Sequence, residues 1–287
     1  MVRPVLIQPS LSSPWPAPDP SLPIGIFDSG VGGLTVAAAL RRRLPAEHLL
    51  YLGDVARLPY GTKSPATVVR YALQAAHFLV RRGVKLLVMA CNTASAHALG
   101  EVAEALAPLP VLGVVEAGAA AAAAASRTGG IVVAATEGTT ASGVYPRAIA
   151  ARRPDARVSQ VACPLFVALA EEGMTAGPIA EAVVRASLGE RFAAPAGNDT
   201  LLLGCTHFPL LVPALRAALG HGPALVDCGE AVADQAATLL AAHGLTAPEG
   251  AGGIRLAATG GAGRVARHAA ALLPGWTGGT PVEEVDL

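Results

Sequence analysis

From residue 24 onward the chain alternates short apolar runs with Ala/Leu-rich helical stretches, and this rhythm constrains the fold most. Residues 23–27 read as a strand, 34–43 as a helix and 48–52 as a strand. A helix follows over 67–82, where apolar positions recur every three or four residues. Then come a strand at 85–89, a helix at 95–107 and a strand at 111–115. Repeated βα units with short connections imply a parallel sheet covered by helices on both faces. The rhythm then restarts. A strand at 130–135 precedes helices at 142–151, 165–172 and 179–187. Strands at 201–203, 224–226 and 254–258 alternate with helices at 211–219, 230–243 and 265–273.

The two halves echo one another. One early strand ends in Phe27-Asp28-Ser29-Gly30 and a later one in Ala90-Cys91-Asn92-Thr93. In the second half the matching ends are Ala135-Thr136-Glu137-Gly138-Thr139 and Gly204-Cys205-Thr206-His207. Asp28 and Thr136 lie 108 residues apart, and Cys91 and Cys205 lie 114 apart. The expected fold is therefore α/β, with two similar open parallel-sheet domains of flavodoxin-like type facing each other across a substrate cleft. The expected division is residues 24–115 plus 226–287 for one domain and 116–225 for the other. Ligands of open α/β sheets bind beyond the carboxyl ends of the strands. Residues 1–23 carry seven prolines, which block helix and sheet, and are expected to form a flexible leader. Residues 274–287 read as irregular.

Composition narrows the function. Lys+Arg and Asp+Glu both number 21, for a formal net charge of zero. Proteins that neutralise nucleic-acid phosphates usually show a basic excess, so no direct nucleic-acid partner is expected. Hydrophobic residues make up 52% and charged residues 15%, the reverse of a disordered chain. Much of the apolar share is alanine, and Glu101, Glu104 and Glu116 interrupt the best candidate span, so no membrane crossing is expected. No secretory signal pattern is read at the start, so the expected compartment is the cytoplasm. Reducing conditions there keep Cys91, Cys163, Cys205 and Cys228 as free thiols.

Cys91 directly follows an apolar run and opens a helix, where N–H groups and the helix dipole favour an anion. That placement predicts a depressed thiol pKa; the alternative is a buried structural cysteine. Cys205 repeats the arrangement, with His207 two residues on to hold a thiolate or shuttle its proton. A metal site at Cys205 and His207 is disfavoured, because no close-spaced ligand pair accompanies them. The loop Asp28-Ser29-Gly30-Val31-Gly32-Gly33 is not a dinucleotide fingerprint, since Thr35 stands where the third glycine belongs. It offers N–H groups for a smaller anion. The segment Gly61-Thr62-Lys63-Ser64 is similar to the tail of a phosphate loop but lacks the earlier glycine. Two thiols at equivalent positions suit two-base chemistry. One removes a proton from one face of a carbon and the other donates to the opposite face. Asn92, Thr93, Thr206 and Ser29 are donors that could stabilise the developing carbanion.

Taken together, these segments resemble the cofactor-independent glutamate racemases. The resemblance rests on residues 25–34, 51–54, 59–64, 90–96, 136–139, 163–167, 171–173 and 203–207, and runs from about Ile24 to Ala233. It implies that Cys91 and Cys205 are opposed acid/base thiols, and that no cofactor or metal takes part. It implies that Asp28 assists Cys91, and that His207 and Glu171 assist Cys205. Adjacent helical residues point about 100° apart, so Glu171 and Glu172 cannot both face the cleft. Asp28, Ser29, Tyr60, Gly61, Asn92, Thr93, Thr139, Thr206 and His207 are implied to surround glutamate. Cys163 and Cys228 match no catalytic position and default to structural roles. Ala117, Phe208, Ala135 and Cys228 depart from the usual wording, where proline, tyrosine, glycine and serine are common.

The resemblance implies interconversion of L- and D-glutamate, supplying D-glutamate for peptidoglycan. Two alternatives remain open: a racemase of aspartate or a hydantoin, and a non-catalytic regulator that binds a protein such as gyrase. The oligomeric state is open, with a homodimer among the options.

Overall fold

The computed structural model describes residues 19–193, 197–250, 252–273 and 281–287. The leader expected over 1–23 therefore lies outside the described residues up to residue 18.

The first half runs β1 (Ile24–Asp28), α1 (Leu34–Arg43), β2 (Leu49–Gly53), α2 (Pro65–Arg81), β3 (Leu86–Met89), α3 (Asn92–Ala105), β4 (Val111–Gly113) and α4 (Val114–Ala125). The strand expected to reach residue 115 stops at Gly113. The alanine run that follows has the highest helix propensity of any residue, and α4 begins at once. The helix α2 starts where Ser64 caps it, accepting a hydrogen bond from Thr67 N at 3.3 Å, with Pro65 in its first turn. The segment similar to a phosphate loop is thus a helix cap.

The second half runs β5 (Gly130–Ala135), α5 (Glu137–Ser142), α6 (Val144–Ala150), β6 (Arg157–Ala162), α7 (Pro164–Glu171), α8 (Pro178–Phe192), β7 (Thr200–Gly204), α9 (Val212–Leu219), β8 (Ala224–Asp227), α10 (Cys228–Ala242), β9 (Ile254–Ala258), α11 (Ala262–Leu272) and β10 (Glu283–Glu284). The helix expected over 142–151 is α6, which begins after Gly143, whose φ of 63° is the left-handed turn that glycine adopts freely; the short α5 before it was not anticipated. The strand β6 was not anticipated. It is a sheet edge whose residues are mostly half exposed, so it lacks the continuous apolar run of a central strand. Within the expected irregular tail, β10 pairs in parallel with β9.

Every strand pairing among the described residues is parallel. The larger sheet has the order β10-β9-β2-β1-β3-β4 and the smaller β6-β5-β7-β8. The smaller sheet repeats the larger one's β2-β1-β3-β4 arrangement, so β1 corresponds to β5 and β3 to β7. Residue 226, the expected point of return to the first domain, lies inside β8 and so within the smaller sheet. One apolar cluster fills the space between the sheets, joining Ile26, Tyr51 and Val88 to Ile131, Val133 and Leu202 through residues of α1, α4 and α10. The outer face of the larger sheet packs on α2 and α3, and that of the smaller sheet on α7, α8 and α9.

In a doubly wound sheet the crevice opens where strand order reverses. Here that point lies between β1 and β3 in one sheet and between β5 and β7 in the other. Asp28 ends β1, Cys91 follows β3, Thr136 follows β5 and Cys205 follows β7.

Candidate active site

The two crevices open onto one small shared cavity. Ser29, Tyr60, Gly61, Cys91, Asn92, Thr93, Thr136, Cys205, Thr206 and His207 line it, with Leu58, Pro59 and Val167 as apolar wall. Of the residues singled out from sequence, Asp28, Thr139 and Glu171 stand behind the lining and touch residues that form it.

Cys91 caps α3, accepting from Ala94 N at 3.5 Å, and donates to Ser29 Oγ at 3.4 Å. The helix starts at Asn92 rather than at residue 95, which places the sulfur at its very mouth. The expected depression of the thiol pKa is not found. Burial pushes the Cys91 thiol up to about 12, the nearby Asp28 carboxylate adds to this, and the Ser29 and Ala94 hydrogen bonds only partly offset it. Asp28 is fully buried and makes no direct hydrogen bond to Cys91. Its Oδ2 accepts from Gly30 N at 3.0 Å and its Oδ1 from Thr206 Oγ1 at 3.2 Å. Burial raises the Asp28 pKa, against the pull of His207 and these hydrogen bonds.

Cys205 has a different environment. Its Sγ lies 3.7 Å from His207 Nδ1, and His207 Nε2 lies 2.6 Å from Glu171 Oε1. Burial alone would lower the His207 pKa, but the contacts with Cys205 and Glu171 overcome it and raise it to about 10. Conversely, burial would raise Glu171, and His207 together with Arg264 holds it below the usual carboxylate range. Arg264 Nη1 lies 3.4 Å from Glu171 Oε2. Glu172 is exposed, so of the two adjacent acids it is Glu171 that meets His207.

The halves interlock around the cavity. Thr93 Oγ1 lies 2.9 Å from Thr136 Oγ1 and 3.1 Å from Thr139 Oγ1, while Thr136 and Thr139 are 3.0 Å apart. Thr35 Oγ1 donates to Thr206 O at 3.1 Å. Close approach demands glycine at two points. A Cβ on Gly32 would sit 2.5 Å from Thr206 Oγ1, and one on Gly61 would sit 2.6 Å from Thr136 Cβ. Tyr60 is held by a hydrogen bond from its hydroxyl to the buried Asp54, which Arg57 Nε also meets at 2.6 Å and Thr259 Oγ1 at 2.8 Å.

Sequence reasoning assigned no role to Thr136, Asp54 or Arg264. Thr136 carries a signal that could have been used, since it occupies the position equivalent to Asp28. Arg264 carries none, because it reaches Glu171 from an element 93 residues further along the chain. Among the described residues no helix is long and apolar enough to cross a membrane.

Comparison with known proteins agrees with this geometry. A profile of the Asp/Glu/Hydantoin racemase family matches residues 33–236. A glutamate racemase of Geobacter metallireducens is 49% identical over 82% of this chain and 84% of its own length. The crystal structure of Thermus thermophilus glutamate racemase in complex with β-chloro-D-alanine superposes with a TM-score of 0.79 at 47% identity, covering 93% of this chain and 97% of that one. That of Francisella tularensis glutamate racemase in complex with D-glutamate gives a TM-score of 0.82 at 32% identity, covering 93% and 97%. The chain belongs to the Asp/Glu/Hydantoin racemase family, among its glutamate racemases.

Proposed function

We propose that this protein interconverts L- and D-glutamate by direct proton transfer at Cα, with Cys91 and Cys205 as the two acid/base groups. The carrying observation is that two thiols, from equivalent strand ends of two like sheets, line one cavity with different acid–base surroundings. Burial and Asp28 keep Cys91 as a thiol. At Cys205 a thiolate would face the His207 imidazolium. A substrate between them loses its α-proton to the thiolate and gains one from the thiol on the opposite face. The net charge does not change, and the two sulfurs end with exchanged protonation. The carbanion formed on the way is stabilised by N–H and hydroxyl donors around the substrate carboxylate. Within this reading Ser29, Tyr60, Gly61, Asn92, Thr93, Thr206 and His207 contact the substrate. Asp28, Glu171 and Thr139 act through those neighbours.

The same reading places the protein in the cytoplasm as a supplier of D-glutamate for peptidoglycan. It treats residues 24–113 with 228–287 as one unit and 114–227 as the other, so that β8 stays with its own sheet. The test is racemisation in D₂O. Deuterium should enter Cα of glutamate from either enantiomer without added cofactor, and folded protein that exchanges neither enantiomer would refute the reading.

A further inference from the structure

Behind the cavity wall runs a buried chain of hydrogen bonds that the two-thiol reaction does not use. Asn92, Tyr145 and Cys228 are 3%, 0% and 4% exposed. They come from the first turn of α3, from α6 and from the first turn of α10. Asn92 Nδ2 lies 2.6 Å from Tyr145 Oη and 3.6 Å from Cys228 Sγ. Tyr145 Oη lies 3.2 Å from Cys228 Sγ, which lies 3.4 Å from the carbonyl oxygen of Leu203. That carbonyl can only accept, which gives the chain one direction. The thiol donates to Leu203 O, so its sulfur accepts from Tyr145 and Asn92. The tyrosine spends its proton on the sulfur, so its oxygen accepts from Asn92. Both amide hydrogens are then turned inward, so the Asn92 carboxamide is not the donor expected from sequence, and among the described residues Asn92 Oδ1 meets no donor. Gly118 on α4 leaves room for the sulfur, since a Cβ there would lie 2.5 Å from it.

We infer that Tyr145 and Cys228 are positioning residues that hold the Asn92 carboxamide with its oxygen toward the cavity, as acceptor for the α-ammonium group of the substrate. This rests on the glutamate racemase reading and adds to it the source of orientation for the amine. The opposite amide orientation would present two hydrogens to the cavity and leave Sγ without a donor from Asn92. Burial pushes the Cys228 thiol up to about 12 and holds the Tyr145 phenol well above its ordinary range, so the chain keeps its protons wherever the enzyme works. A serine at 228 could donate and accept in the same sense. A side chain without a polar atom could not.

The experiment is steady-state racemisation of both enantiomers by the parent, Tyr145→Phe, Cys228→Ala, Cys228→Ser and Asn92→Ala, and by Asn92→Ala combined with Tyr145→Phe. Thermal unfolding of each variant establishes that it is folded. Tyr145→Phe and Cys228→Ala should raise KM about tenfold or more with a smaller change in kcat, because an ammonium contact is made in ground and transition states alike. Cys228→Ser should recover most of the loss seen in Cys228→Ala. Tyr145→Phe should add nothing once Asn92 is alanine, since both changes remove one interaction. Parental KM in folded Tyr145→Phe and Cys228→Ala, or additive effects in the double variant, overturns the inference and leaves the racemase reading intact. A parent chain that does not racemise glutamate overturns both.

Discussion

Replacing Glu171 with glutamine isolates the charge that supports His207. The carboxamide keeps the size and an oxygen to face His207 Nε2, now 2.6 Å from the Glu171 carboxylate, but removes the negative charge. Opposite charges about 4 Å apart attract by about 4 kcal/mol at an effective dielectric constant of 20. The retained hydrogen bond and partial solvent access reduce the loss to about 1.4–2.8 kcal/mol, which is roughly one to two pH units in the proton affinity of His207. The sign follows from the direction of the shift. In the parent the imidazolium persists until the pH passes about 10, and activity that needs a cation beside Cys205 is lost above that point. Without the Glu171 charge, burial is less opposed, so the cation should be lost about one to two units earlier. Racemisation of each enantiomer, followed by circular dichroism from pH 6 to 10.5, should show the alkaline limb of kcat/KM displaced downward. The activity deficit should be about two- to tenfold at pH 9 and small at pH 7. The enantiomers of glutamate have equal free energy, so kcat/KM must fall alike in both directions. An alkaline limb that coincides with the parent's would refute the claim that Glu171 supports the imidazolium.

Cys91→Ala and Cys205→Ala should each abolish racemisation, and near-parental turnover by either would disprove the paired-thiol scheme. Gly32→Ala should lower kcat/KM about 100-fold, because its Cβ would lie 2.5 Å from Thr206 Oγ1 and 2.6 Å from His207 Nδ1, displacing the pair. Unaltered kinetics there would show that the interlock yields freely. Glu47→Gln should cost about 3–5 kcal/mol of stability, because it leaves the fully buried Lys85 without the carboxylate now 2.6 Å away. At about 2–4 °C per kcal/mol for a chain of this size, thermal unfolding should shift down by about 10 °C, and a shift near zero would refute the cost.

Much of the site was legible before any coordinates. Cys91 and Cys205 announce themselves because each follows an apolar strand and precedes a helix, and the echo with Asp28 and Thr136 reflects a repeated strand order. The central strands were found because burial on both faces makes them continuous apolar runs. The edge strand β6 was missed because its half-exposed face dilutes that signal. The short helix α5 was missed because its six residues carry no apolar periodicity. The direction of the Cys91 pKa was misjudged for a related reason. The helix start is visible locally, whereas the extent of burial and the presence of Asp28 beside the sulfur are not.

The sequence by itself determined the element order, the parallel α/β class and the pair of thiols, since backbone preference and strand burial are written in spacing along the chain. Only the tertiary structure decided which groups surround each thiol. Solvent exclusion and charge act through space, over neighbours that lie far apart in sequence. Glu171 meets His207 across 36 residues and Arg264 across 93. Asn92 reaches Cys228 across 136. Two loops of similar wording thus become two unlike sites, one a buried thiol near a carboxylate and the other a cysteine sulfur next to an imidazole that Glu171 supports.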